Sequence, residues 1–139
     1  MQATILKLLG ELRTRRGMSY LFVSHDLEVV RLISDRIVVM YLGVVVESAP
    51  THALLQRPAH PYTRALIDAS PNPARRGLKI PRLEGSARSP IDIDPRVCRF
   101  AGRCAREIDI CRRAAPPLLP VSDGHLVACH RSGETGEEP

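Results

Sequence analysis

The chain has 139 residues, a net charge of +5 and 44% hydrophobic residues, but only 4% aromatic residues and 12 prolines. This length allows one domain, or part of a domain with a small appendage, and so few aromatic residues indicate that a large core does not order the whole chain. The longest apolar stretch, 37–46, is about half as long as a membrane-spanning helix. The first ten residues lack the basic head and the cleavage site of a secretory signal, so we expect a cytoplasmic, reducing environment.

The positive charge is scattered along the chain. Seven arginines surround the cysteines near the C-terminus: Arg96, Arg99, Arg103, Arg106, Arg112, Arg113 and Arg131. Neither a recognition motif nor an aromatic stacking platform accompanies them, so nucleic acid is not predicted as a partner.

Three elements are predicted before residue 36. Apolar residues at helical spacing predict an amphipathic helix at 3–16. Residues 20–23 are apolar on both faces, which is typical of a central parallel strand covered by helices on each side. Asp26 can cap a helix at 27–33. Since only one such strand precedes the next segment, we expect its edges to lack neighbours.

A β-hairpin and two short helices are predicted next. Strands at 36–41 and 44–47 flank Leu42-Gly43, a two-residue spacing typical of a hairpin. Thr51 is expected to cap a helix at 53–57, and a helix at 61–69 has proline in its first turn. The order helix, strand, helix, hairpin, helix predicts an α/β fold whose layer is open at its N-terminal side.

The remaining chain divides by composition. Five prolines and little apolar periodicity predict a linker or an extended arm at 70–95. Residues 96–131 are expected to form a small, irregular, cysteine-rich appendage, and the polar, acidic residues 132–139 a disordered tail. The predicted segments are therefore 1–58, 59–95 (the helix at 61–69 and the linker), 96–131 and 132–139.

Four cysteines are candidate metal ligands: Cys98, Cys104, Cys111 and Cys129. In a reducing compartment, clustered cysteines favour metal binding over disulfides. Their spacing differs from the paired C-x-x-C of zinc ribbons, and the surrounding arginines suit the negative charge of an iron–sulfur cluster. Tetrahedral zinc and four buried, reduced thiols are the alternatives, with His125 and His130 as possible substitute ligands.

His25 is the candidate catalytic residue. It follows the apolar run at 20–23 and precedes Asp26, which would place its imidazole at the carboxyl edge of a parallel sheet, where ligands bind in open α/β folds. The run Leu-Phe-Val-Ser-His-Asp-Leu at 21–27, with Met-Tyr-Leu-Gly-Val-Val-Val-Glu at 40–47, resembles the switch-histidine region of ATP-binding-cassette (ABC) ATPases. His-Pro-Tyr-Thr-Arg-Ala-Leu at 60–66 is similar to the hallmark beyond the ATPase core of dipeptide and oligopeptide importers.

Including the cysteine motifs, the resemblance covers residues 2–131. It implies the C-terminal part of a P-loop nucleotide-binding domain, in which His25 contacts the γ-phosphate of ATP bound with Mg²⁺ and helps to hold the attacking water. It also implies a 4Fe-4S cluster at the four cysteines, as in some members. The implied partners are a second ATP-binding subunit, membrane permease subunits and, indirectly, a peptide brought by a solute-binding protein, at the cytoplasmic face of the membrane. Peptide rather than nickel as cargo rests on the resemblance alone.

Three motifs of such ATPases are missing from the sequence. It contains no G-x-x-x-x-G-K-[ST] phosphate loop, no apolar strand ending in Asp-Glu and no Leu-Ser-Gly-Gly-Gln signature. We therefore expect a C-terminal fragment of the ATPase subunit that does not hydrolyse ATP by itself. The alternative is a freestanding iron–sulfur or zinc module with a vestigial α/β portion.

Overall fold

The computed structural model describes residues 2–70 and 94–133. The chain forms two compact units, residues 1–35 and 36–139. The predicted linker and tail lie almost entirely outside the described residues. The fold is mixed α/β, and every strand pair in the described sheet is antiparallel.

The first unit contains two helices. α1 spans Gln2–Arg16 and α2 spans Leu27–Ile33. The Asp26 carboxylate accepts hydrogen bonds from two backbone N–H groups in the first turn of α2, at 3.0 and 3.3 Å. Both predicted helices and the predicted cap are therefore confirmed.

The strand predicted at 20–23 is not formed. Leu21 and Val23 are 96% and 88% exposed, and Tyr20 and Phe22 are also exposed. A strand that is apolar on both faces requires paired neighbours and cover on each side, and residues 2–35 contain no other strand. The prediction of a strand is wrong here, because the pairing that would create one is missing from this unit.

The second unit is built on a hairpin. β1 (Arg36–Tyr41) and β2 (Val44–Pro50) pair as predicted, although β2 continues beyond its predicted end. Side chains along β1 alternate regularly between solvent and core. The turn residues Leu42 and Gly43 have φ angles of 45° and 81°, the left-handed pair typical of a type I′ turn.

A second hairpin extends the same sheet. β3 (Leu119–Ser122) and β4 (His125–Val127) pair around Asp123-Gly124, and β4 also pairs with β2. The strand order is β1-β2-β4-β3. Because strands from before and after the predicted linker share one sheet, the structure does not show a separate cysteine-rich appendage. The boundaries of the four predicted segments stay predictions.

Two helices follow the first hairpin. α3 spans Thr51–Gln56 and α4 spans Pro61–Ala69, which confirms the helix that begins with proline. Thr51 is the first residue of α3 and not its cap, because β2 runs up to Pro50 and leaves no residue between strand and helix. The predicted cap is therefore wrong. In the described part of the chain, no helix is long and apolar enough to cross a membrane.

Candidate functional site

His25 lies in a bend immediately before α2, and its side chain is exposed. The bend is braced by a hydrogen bond from the Asp26 backbone N–H to Ser24 Oγ at 2.9 Å, and by the Asp26 cap. The braced backbone leaves the imidazole accessible to a ligand. An exposed imidazole carries an N–H donor, which fits the predicted contact with a phosphate oxygen.

A buried carboxylate lies at the centre of the second unit. Glu47, on β2, is 0% exposed. Its Oε1 accepts a hydrogen bond from the Ala59 backbone N–H at 2.8 Å and lies 2.7 Å from His125 Nε2, and its Oε2 accepts from the His60 backbone N–H at 3.0 Å. A carboxylate has only acceptors, so three converging donors greatly reduce the cost of burying it.

His60 forms the cap of α4. Its Nδ1 accepts a hydrogen bond from the Tyr62 backbone N–H at 3.1 Å, and Pro61 occupies the first helical position. The ring is 2% exposed, and this burial lowers the pKa of His60 to about 4 against an opposing effect of Glu47. Capping requires the lone pair of Nδ1, so a neutral ring serves both the cap and the buried position. The His-Pro-Tyr hallmark is thus a helix start.

An aromatic cluster joins this helix start to the cysteine-bearing segment. The cluster consists of four rings, Tyr41, His60, Tyr62 and Phe100. The Phe100 ring centroid lies 5.2 Å from that of Tyr41, 5.6 Å from that of Tyr62 and 5.7 Å from that of His60. In addition, Arg103 Nη1 donates a hydrogen bond to the Tyr41 hydroxyl at 3.1 Å. Because Phe100 and Arg103 lie between Cys98 and Cys104 in the chain, these contacts attach the first two cysteines to the first hairpin.

The four cysteines are free thiols in the second unit. The Cys98 backbone N–H donates to the Cys111 carbonyl at 3.0 Å, so these two segments lie side by side. Burial raises the pKa of three thiols, to about 11 for Cys104, and a backbone N–H two residues further on opposes this in each case. Neighbouring thiols raise the same pKa values further.

The thiols suit a metal by their chemistry but not by the arrangement described. Four soft sulfur donors, three of them with a backbone N–H group that favours the thiolate, suit zinc or an iron–sulfur cluster. Within residues 2–70 and 94–133, however, no group of three or more His, Cys, Asp or Glu is arranged to hold a metal ion. The candidate substitutes have Nε2 engaged elsewhere, His125 with Glu47 and His130 with the Ala114 carbonyl at 3.0 Å.

Sequence reasoning named His125 only as a substitute metal ligand and His60 only within the hallmark, and it did not identify Glu47 as a site residue. One usable signal was the charged residue that ends the run Val44-Val-Val on a core-facing strand, since a buried charge requires partners. A second was Asp123-Gly124, a favoured two-residue hairpin turn, which would have predicted β3 and β4.

The comparison with known proteins adds the family. The family described as "Oligopeptide/dipeptide transporter, C-terminal region" matches residues 46–111. A "Probable peptide ABC transporter ATP-binding protein" of Sinorhizobium fredii is 50% identical over 131 residues, which are 93% of this chain and 36% of the relative. Proteins of Brucella abortus and Brucella melitensis, named peptide import ATP-binding proteins, are 46% and 45% identical over 130 residues. These are 94% of this chain but 38% and 34% of the relatives.

The chain therefore spans little more than a third of the length of the curated relatives it matches. The matched family region contains the buried Glu47, the His60 cap and three of the four cysteines. On this similarity, residues 46–111 carry the C-terminal region of oligopeptide/dipeptide transporters, and the relatives that match 93% of the chain are peptide ABC transporter ATP-binding proteins.

Proposed function

We propose that this chain is the C-terminal region of a subunit that couples ATP hydrolysis to peptide uptake through membrane permeases. The 50% identity to a peptide transporter ATP-binding protein, over 93% of the chain, carries the proposal. That identity runs through both the α/β portion and the cysteine-bearing portion, so the alternative of a freestanding metal module finds no support. The working subunit pairs with a second ATP-binding subunit at the cytoplasmic face of the membrane, and a solute-binding protein supplies the peptide.

Within this function, His25 is proposed to contact the γ-phosphate of ATP. Its exposed imidazole and the bend braced by Ser24 and Asp26 support this role. The sequence has no phosphate loop, so ATP and Mg²⁺ need residues outside this chain, and ATP supplies the phosphoryl group that is transferred. His25 donates a hydrogen bond to a phosphate oxygen and helps to orient the attacking water, and it is not the sole base.

A chimera tests both proposals. The 139 residues replace the matching part of the Sinorhizobium fredii relative. We expect the chimera to hydrolyse ATP and to restore peptide uptake in a strain that lacks the relative.

His25→Ala should retain ATP binding but lower hydrolysis about 100-fold, because positioning and charge stabilisation are lost. His52→Ala, at an exposed histidine on α3, is the matched control. Unchanged turnover in His25→Ala would remove this residue from the mechanism, and hydrolysis without peptide uptake would argue against the cargo.

The cysteines are proposed to bind a soft metal centre, a 4Fe-4S cluster or, alternatively, zinc. The proposal is supported by the four free thiols of the second unit, by the backbone N–H groups that lower the pKa of three of them, and by Arg106 and Arg131, which lower the pKa of Cys129 against the larger effect of burial. Since no group of three or more His, Cys, Asp or Glu in the described residues is arranged to hold a metal ion, binding requires the cysteine segments to rearrange. Iron, sulfide and zinc analysis after anaerobic purification tests it. Colourless protein with stoichiometric zinc excludes the cluster, and metal-free protein excludes both.

A further inference from the structure

We infer that Glu47 is a positioning residue for the cysteines. Its carboxylate, together with Ala59, His60 and His125, forms a buried clasp that we call the Glu47 clasp. The clasp joins β2, the start of α4 and the start of β4, three segments far apart in the sequence. Two of these segments hold cysteines in place. We call β4 with the residues that follow it the Cys129 arm, and the start of α4 with the chain around Phe100 the Cys98 arm.

The Cys129 arm is β4 and the residues that follow it. His125, 4% exposed, binds Glu47 through its side chain at the start of β4. Glu47 and Val127 are partners in the sheet register, and the Ala128 backbone N–H donates to the Val46 carbonyl at 2.8 Å. The chain is thus held on β2 up to the residue before Cys129, so the clasp determines where this thiol lies.

The Cys98 arm depends on the other side of the same carboxylate. By accepting hydrogen bonds from the Ala59 and His60 N–H groups, Glu47 fixes the turn that orients the His60 ring. Phe100 packs against that ring and lies two residues after Cys98 in the chain, and the Ala101 backbone N–H donates to the Cys98 carbonyl at 3.1 Å. One buried side chain therefore supports two thiols that are 31 residues apart in the sequence.

The chemistry of the clasp favours positioning over stabilisation alone. An apolar side chain at position 47 would fill a core site without the desolvation cost of a carboxylate. A carboxylate with donors from three segments is satisfied in only one arrangement of those segments, so it specifies their geometry. That this arrangement serves metal binding rests on the proposed metal centre. The clasp holds the two thiols in position in the metal-free chain as well.

Alkylation of the metal-free full chain tests the inference. Brief treatment with iodoacetamide at pH 8 is followed by mass spectrometry, in which arginines separate all four cysteines into different tryptic peptides. We expect Glu47→Gln to accelerate labelling of both Cys98 and Cys129 at least about tenfold, because an N–H group of the new amide faces a backbone donor. Leu54→Ala, at a fully buried residue on α3, is the control at matched global stability and should change both rates less than about twofold.

Two further variants separate the arms and decide the matter if Glu47→Gln does not fold. His125→Asn should expose Cys129 but not Cys98, and Phe100→Leu should expose Cys98 but not Cys129. The inference is overturned if either variant accelerates both thiols equally, or if Glu47→Gln matches Leu54→Ala at equal stability. Because the readout is thiol labelling without metal, a protein that binds no metal refutes the proposed centre and leaves this test intact.

Discussion

Acid should destabilise the second unit through His60. The ring is 2% exposed, and burial lowers its pKa from 6.5 to about 4. In the unfolded chain the ring titrates at its ordinary pKa, so below pH 6.5 the unfolded state binds a proton that the folded state does not. The stability that depends on the neutral ring is therefore complete above pH 6.5 and is lost as the pH falls to 4.

The size of the effect follows from the two pKa values. Their difference corresponds to a loss of about 2 kcal/mol by pH 5 and about 3 kcal/mol by pH 4. Other groups titrate over the same range, so the contribution of His60 must be isolated with a variant. His60→Asn is suitable because asparagine is a good helix cap that carries no charge at any of these pH values.

Urea unfolding of both proteins at pH 7, 5 and 4, followed by near-ultraviolet circular dichroism of the packed tyrosines, measures the difference. Relative to wild type, His60→Asn should gain about 3 kcal/mol of unfolding free energy between pH 7 and pH 4. The exposed His52→Asn should follow wild type. If wild type and His60→Asn show the same pH dependence, a buried neutral His60 is refuted.

Three further changes test local features. Leu42→Asn should raise the unfolding free energy by about 1 kcal/mol, because Leu42 has a φ of 45° in a turn position that favours asparagine; a lower melting temperature would contradict this. Gly124→Ala should cost about 2 kcal/mol, since φ is +64° and the new Cβ would lie 3.0 Å from Arg36 Nη2; thermal unfolding unchanged from wild type would show that the turn adapts. Alkylation of Cys104 should accelerate about tenfold per pH unit up to its pKa of about 11, and a midpoint near 9 would mean that burial does not act on this thiol.

Local signals in the sequence predicted the elements that are stabilised locally. The first hairpin follows from its two-residue turn, α2 from the Asp26 carboxylate and α4 from its initial proline, and all three are present. The strand at 20–23 was predicted from its composition, but a strand exists only by pairing, and pairing is a property of other segments. Its absence shows that the composition of one segment does not determine whether a strand forms there.

The sequence likewise predicted only part of the candidate site. His25 and the cysteines could be named from motifs, because their chemistry is visible in single residues. The link between Glu47 and His125 could not, since 78 residues separate the two side chains and neither residue alone indicates its partner. Only the register of β2 with β4 brings them together, and that register depends on the second hairpin.

The burial of the hallmark limits what it can do in transport. His60 and Thr63 of the His-Pro-Tyr-Thr run are 2% and 1% exposed, and Tyr62 packs against Tyr41 and Phe100. The buried side chains of His60 and Thr63 cannot meet a peptide unless the second unit opens, so recognition of cargo is not expected from these two residues. Their contacts instead connect the hairpin that follows α2 with the cysteine-bearing chain. A substitution in the hallmark should therefore alter thiol exposure before it alters which peptide is carried.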